Sequence, residues 1–191
     1  MSASTKEMIF KTFLEILKTK PFDKITVRDI VEACNINRNT FYYYYSDIYE
    51  LLEEIFKMEF SEMVANHSNG FRWLVGFSRM IETSYNNKKI INNICASRSY
   101  EYLENYMFKS CRTIMSDYIH ELCEGRNIDD ANMEFIISFY QYAIIGTLSE
   151  WYRTGMPDPP EKILRQFLMV FEGIMPSIER AEKRGSAKRN K

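Results

Sequence analysis

The run RNTFYYYY, Arg38 to Tyr45, gathers side chains suited to reading a nucleic acid rather than to making or breaking bonds. Arginine can make a two-point contact with guanine in the major groove, and asparagine can do the same with adenine. Threonine and tyrosine hydroxyls suit phosphate oxygens. Arg38, Asn39, Thr40, Tyr42 and Tyr43 therefore form a candidate base- and backbone-contacting set, provided one element turns them all outward.

The preceding residues supply that element. Thr26 followed by Asp29 has the spacing of a capping box, and Val27, Ile30, Val31 and Cys34 then recur on one helical face. Asn35 falls where the chain must turn, and asparagine tolerates the left-handed conformation better than most residues. Asn37 can cap a second short helix whose Phe41, with Ile36, packs inward. Residues 25 to 52 thus read as a helix-turn-helix running into a third helix, with the start of the second helix facing a groove. Thr26, at the start of the first helix, and Arg28, one turn in, fall near the same groove edge. A solvated helical hairpin has the same spacing. The row of four tyrosines, taken as exposed, favours contact with a partner.

Residues 8 to 56 resemble the N-terminal domain of the tetracycline-repressor family of one-component bacterial transcription regulators. The likeness lies in the aliphatic pattern of ITVRDIVEACNI, the NTFYYYY stretch and DIYELLEEIF. The Thr40-Phe41-Tyr42 step and the aromatic at Tyr45 are its most specific parts. The resemblance implies an all-α homodimer: a three-helix DNA-binding domain with a helix-turn-helix, plus a larger helical ligand-binding and dimerisation domain. It places Thr26, Arg28, Arg38, Asn39, Thr40, Tyr42 and Tyr43 where the family contacts DNA. It also implies a palindromic double-stranded operator, a small-molecule effector of unknown identity and a repressor that the effector releases, with activation as the alternative. Two positions depart from the family: Ile48 replaces a frequent phosphate-binding lysine, and Asn35 replaces the usual turn glycine. SEWYRTGMPDPPEKILRQFL resembles, more loosely, the C-terminal region of a subgroup that includes relatives of the dihydroxyacetone-kinase operon regulator.

Composition is that of a globular chain: 191 residues, 46% hydrophobic and 27% charged. The net charge of −1 means that bulk electrostatics will not hold it on DNA, so the affinity should be modest and salt-sensitive. The opening MSASTKEMIF lacks the apolar stretch of a signal peptide, which predicts a cytoplasmic protein. Four cysteines without a CxxC pair read as reduced thiols. His120 and Cys123 share a helix face, yet no third ligand is signalled, so neither metal nor cofactor is expected. No phosphate loop, nucleophile elbow or HExxH helix occurs, and an enzyme is not expected. A helical protein-interaction module using exposed tyrosines is the non-DNA alternative.

Helical periodicity runs through almost the whole chain. The first helix is expected from about Thr5 to Lys18, with Ser4 and Glu7 as a capping box, and the fourth from Asp47 to about Asn66 with a break at 67 to 70. Two helices then flank Asn86-Asn87, and a long one ends at Gly125. The boundaries predicted are 1–46 for the DNA-binding domain, 47–179 for the regulatory and dimerisation domain, and 180–191 for a basic, disordered tail. Within the second domain, residues 135 to 149 are apolar nearly all round, which demands cover on every side. The next helix carries Ile163, Leu164, Phe167, Leu168, Phe171, Ile174 and Met175 on one face, with Met169 and Val170 outside it. Pairing of these two helices with their copies would make a four-helix interface. Phe60, Met63, Phe77, Met80, Tyr102, Tyr106 and Tyr142 suit either an adaptable pocket or a packed core.

Overall fold

The computed structural model describes residues 3–65, 72–98 and 100–189, and side chains for all of these except 3, 4, 59–65, 72, 73 and 184–189. The side chains of Ser4, the expected cap, and of Phe60 and Met63 lie outside those described, as does the expected break at 67–70. Among the described residues ten α-helices and one 3₁₀ turn follow in order: α1 Ala3–Leu17, the turn Phe22–Lys24, α2 Val27–Cys34, α3 Arg38–Tyr44 and α4 Ile48–Ala65. Then come α5 Arg72–Asn86, α6 Lys88–Cys95, α7 Tyr100–Leu122, α8 Asp130–Arg153, α9 Pro160–Phe171 and α10 Ile174–Arg189. Among the described residues there is no strand, as the helical periodicity requires.

The first three helices close around Ile9, Phe13, Leu17, Phe22, Ile30 and Phe41, all fully buried. Phe22 meets Phe13 edge-on at 6.1 Å, so the 3₁₀ turn that reverses the chain is also a plug in this small core. Asp47 starts α4 by accepting hydrogen bonds from the backbone N–H groups of Tyr49 and Glu50. Two hydrogen bonds tie the first domain to the turn around α6: Asn93 Nδ2 donates to the Leu17 carbonyl at 2.8 Å, and the Arg98 N–H to Asp23 Oδ2 at 2.7 Å. The first of these satisfies a carbonyl that the end of α1 would otherwise leave open.

In the body of the molecule α7 and α8 pack most extensively, with Leu103, Met107, Ile114 and Met115 facing Ile137, Ile144 and Leu148 in one continuous core. The buried serine and glutamine side chains are partnered, as where Gln141 Nε2 donates to the Phe108 carbonyl at 3.0 Å and Ser84 Oγ and Tyr152 Oη share a 3.0 Å bond. The buried Tyr45 and Tyr100 hydroxyls, by contrast, are left without a hydrogen-bond partner among the described residues. Asp129 caps α8 through the Asn132 N–H at 2.8 Å. Gly125 ends the stretch after α7 at φ 74°, a left-handed position that glycine takes without strain.

Within one chain the apolar run on α8 is covered on one side, where Ile136, Ile137, Tyr140, Ile144 and Ile145 are buried, and Phe135, Phe139 and Tyr142 remain exposed on the other. Two expectations are corrected. Ile174 and Met175 do not continue α9. The helix stops at Phe171, and at Gly173 any Cβ would lie 3.1 Å from the Val170 carbonyl, closer than side chains normally sit. Leu168 then joins Met169 and Val170 on the outer surface. From residue 180 the backbone continues as helix to Arg189, because the alanine, glutamate, lysine and arginine of ERAEKR favour helix over a loose tail.

Candidate nucleic-acid interface

The capping box is closed in both directions. The Thr26 N–H donates to Asp29 Oδ2 at 2.7 Å, and the Asp29 N–H donates to Thr26 Oγ1 at 3.2 Å. Lys20 adds an ion pair to the same carboxylate at 3.0 Å. The Thr26 hydroxyl, assisted by Lys20, holds the Asp29 carboxyl below the ordinary carboxylate range. The start of α2 is thereby fixed to the loop before it.

Asn35 adopts φ 52° and ψ 46°, the left-handed turn that its position demanded. It allows the Ile36 N–H to reach back to the Val31 carbonyl at 3.0 Å. Asn37 Oδ1 accepts from the Thr40 N–H at 2.8 Å and from the Thr40 hydroxyl at 3.1 Å, which sets the entry into α3. The Asn35 turn and the Asn37 cap convert a sequence pattern into a rigid angle between α2 and α3.

The helical period then decides which side chains face out. Arg38 and Asn39 are exposed and make no hydrogen bond or ion pair among the described residues. Tyr42 is 53% and Tyr43 80% exposed. Thr40 is half-buried, and Thr26 and Arg28 stand exposed on α2. The four tyrosines do not share one solvated face, which corrects the sequence reading. Tyr45 is buried beside Phe41 at 5.9 Å, and Tyr44 is half-buried beneath Tyr43, their rings edge-to-face at 4.8 Å. Residues 41, 44 and 45 fall on the inner side of a 3.6-residue turn, while 42 and 43 fall outside it.

Most cations of this domain are already neutralised. Lys6 pairs with Glu54, Lys11 with Glu7, Lys18 with Glu15, and Arg28 with Glu32. Arg28 and Glu32 are both well exposed, a kind of pair that contributes little and can exchange for another anion. Beside Arg38, Lys24 is exposed and unpaired among the described residues, two positions ahead of the Thr26 cap. The sequence reading passed over Lys24. Its place on a tight 3₁₀ turn beside the start of α2 was the available signal. Ile48, where a lysine is frequent in the family, is half-buried against the core.

Two cysteines and a histidine elsewhere in the chain are held in settings that do not favour reactivity. The buried Cys111 thiol is pushed up to about 12 and Cys95 to about 11 by burial, which leaves both protonated. His120 Nδ1 is tied to the Ser116 carbonyl at 2.7 Å within its own helix. Among the described residues no three His, Cys, Asp or Glu side chains are grouped to hold a metal ion, and no helix is long and apolar enough to cross a membrane.

An exposed short helix, set by a rigid turn against a capped first helix and mounted on a helical body, is the architecture of a helix-turn-helix regulator. Residues 9–55 match the family described as bacterial regulatory proteins, tetR family, and residues 72–173 match the transcriptional regulator C-terminal region of the same group. The chain belongs to the tetR family, whose members are transcription regulators and not enzymes. It is 33% identical over 72 residues to the HTH-type dhaKLM operon transcriptional activator DhaS of Lactococcus lactis subsp. lactis (strain IL1403), which is 38% of either chain. It is 26% identical over 176 residues to the HTH-type transcriptional regulator YxbF of Bacillus subtilis (strain 168), covering 88% of this chain and 44% of that one. The alignments thus span less than half the length of these curated relatives. Among solved structures, dihydroxyacetone kinase operon activator DhaS superposes with a TM-score of 0.72 at 21% identity, over 93% of this chain and 98% of that one. A TetR transcriptional regulator from Streptococcus agalactiae 2603V gives 0.61 at 22%, over 87% and 93%. At these identities the structural likeness is one of fold.

Proposed function

We propose that the chain is a homodimeric, cytoplasmic transcription regulator that binds a palindromic operator through α3 and responds to a small-molecule effector. Residues 1–46 read DNA; residues 47–179 dimerise and sense. The observation that carries the reading is the unpartnered polar face of α3, where Arg38, Asn39, Tyr42 and Tyr43 project from a helix whose other face is locked into a core. Thr26 and Arg28 flank it from α2 and suit phosphate contacts.

Dimerisation is supported by the outer surfaces of α8 and α9. Phe135, Phe139 and Tyr142 on α8, with Leu168, Met169 and Val170 on α9, expose large apolar side chains that a monomer rarely leaves in water. A hollow of about 270 Å³ lies between these helices, floored by Ile144 and Phe167 and open to a facing side chain. At Gly146 a Cβ would meet nothing within 4 Å, so another backbone can approach there. A two-fold pairing of this surface sets two copies of α3 on one face of a duplex, matching an inverted repeat.

The resemblance of the N-terminal domain to the family supports repression. One specific observation favours activation as the second reading: the relative DhaS, 33% identical over 72 residues, is named a transcriptional activator. The sign then follows from where the operator lies relative to the promoter. The deciding experiment is selection of genomic fragments on the purified protein at two salt concentrations. Recovery of one inverted repeat, weakening with salt, is the expected result. Uniform weak retention of all fragments would refute the operator reading and favour the interaction module.

A further inference from the structure

Outside the helical core, α4 and α7 leave an open groove of about 430 Å³ immediately below the DNA-binding domain. That volume lies within the range of small-molecule sites. Its walls are two aromatic pairs stacked along the helix axes. Tyr49 and Tyr102 lie 5.0 Å apart at one end, and Phe56 and Tyr106 lie 5.7 Å apart at the other. Leu52, fully buried, forms the floor. Tyr102 is half exposed, so ring surface is left in water.

The charges around the groove select among ligands. An aromatic box suits a cation when an acid stands with it. Among the described residues the only acid lining the groove, Glu53, is taken by Lys57 at 3.2 Å. The charge without a partner among the described residues is the ammonium of Lys109, next to the Asn105 amide. Flat apolar walls with one free cation at the mouth complement a flat ring that carries an anion.

We propose that the α4–α7 groove is a binding site for a planar aromatic carboxylate, its ring between the two aromatic pairs and its carboxylate on Lys109 and Asn105. The site also has a route to the DNA-reading surface. Tyr49 touches Tyr102 on one side and Phe22, the plug of the first domain, at 5.2 Å on the other. A ring inserted beside Tyr49 shifts the contact that seats Phe22, and with it the support of α2 and α3. This second step rests on the regulator reading above; binding itself does not.

The test uses the full chain without DNA, titrated with 2-naphthoate and with its uncharged counterpart 2-naphthamide, binding followed by calorimetry. Saturable uptake of one naphthoate per protomer is expected, weakened about tenfold or more for the amide, for Lys109→Met and for Tyr102→Ala, with helical circular dichroism unchanged. Both side chains are exposed, so neither substitution threatens the fold. Failure to saturate at millimolar naphthoate, or equal affinity in Lys109→Met, overturns the site. An operator titration with and without naphthoate then reads the coupling. A shift in the wild type that Lys109→Met abolishes supports the route through Tyr49, and binding without any shift overturns it. Failure to bind an operator at all would instead strike the regulator reading and leave the site standing.

Discussion

Arg38 and Tyr42 separate what holds the first domain together from what it presents. Neither contributes to the core, so their replacement should leave folding intact and register only in recognition. Arg38→Ala or Tyr42→Ala is expected to weaken binding to the selected operator by about 1–3 kcal/mol, read by fluorescence anisotropy, with the oligomeric state unchanged. Equal affinity in both variants would move the reading surface away from α3. Asp29 plays the opposite part: it holds α2 and presents nothing. Its carboxyl is depressed mainly by the Thr26 hydroxyl and also by Lys20. A carboxyl more acidic in the folded chain than in the unfolded one stabilises the fold above the unfolded value, and that contribution fades as pH falls through the folded one. Asp29→Ala should therefore cost about 1 kcal/mol in urea unfolding at neutral pH. The difference from wild type should shrink in acid, where the native carboxylate is itself protonated; a gap independent of pH would show that the cap acts without its charge.

The turn between α2 and α3 is the element on which recognition geometry depends, and it was legible in the sequence because Asn35 and Asn37 carry local signals. Asn35 holds a left-handed backbone, where a Cβ without a compensating polar group costs about 1–2 kcal/mol. Asn35→Ala should lower stability by roughly that amount, whereas Asn35→Gly should be neutral or slightly stabilising; thermal melts of the two variants check the order. Other elements were less legible for a physical reason. An apolar helix such as α8 announces that its surface needs cover, but not whether the cover comes from its own chain or another. Hence the inward Ile144 and the outward Phe139 read alike in sequence. The end of α9 at Phe171 is a local turn in which the Gly173 N–H reaches the Val170 carbonyl at 3.0 Å, and the apolar period running on through Ile174 and Met175 hides it in the sequence. The bonds from Asn93 to Leu17 and from Arg98 to Asp23 join residues about 75 positions apart and leave no local trace. The tyrosine row was misread because composition was weighed before the period of the helix.

At the scale of the whole molecule, the proposed dimer and its charge would act together, since among the described residues the first domain leaves few cations unpaired. Phe139→Asp puts a carboxylate in the middle of the exposed α8 face, where it would be buried against a second copy. Sedimentation should then show a monomer of unchanged helicity. That monomer should lose operator affinity, because each half-site would be bound separately; a variant that stays dimeric would place the interface elsewhere. The salt dependence follows from the pairing of the basic residues. In the first domain Lys6, Lys11, Lys18, Lys20 and Arg28 are each matched by a carboxylate, leaving Lys24 and Arg38. With Arg38 on a base edge, Lys24 is the free cation left for phosphate, two in a dimer, and a slope of about −0.9 per neutralised phosphate gives roughly −1.8 for the logarithm of affinity against that of salt. Exchange of the exposed Arg28–Glu32 pair for phosphate would steepen it to about −3.6 with four contacts. A slope near the first value says that the intramolecular pairs persist on DNA, and one near the second says that Arg28 leaves Glu32. A slope close to zero would contradict phosphate contact by either cation. Anisotropy titrations of wild type and Arg28→Ala across a salt series separate the two cases, since Arg28→Ala should flatten the slope only in the second.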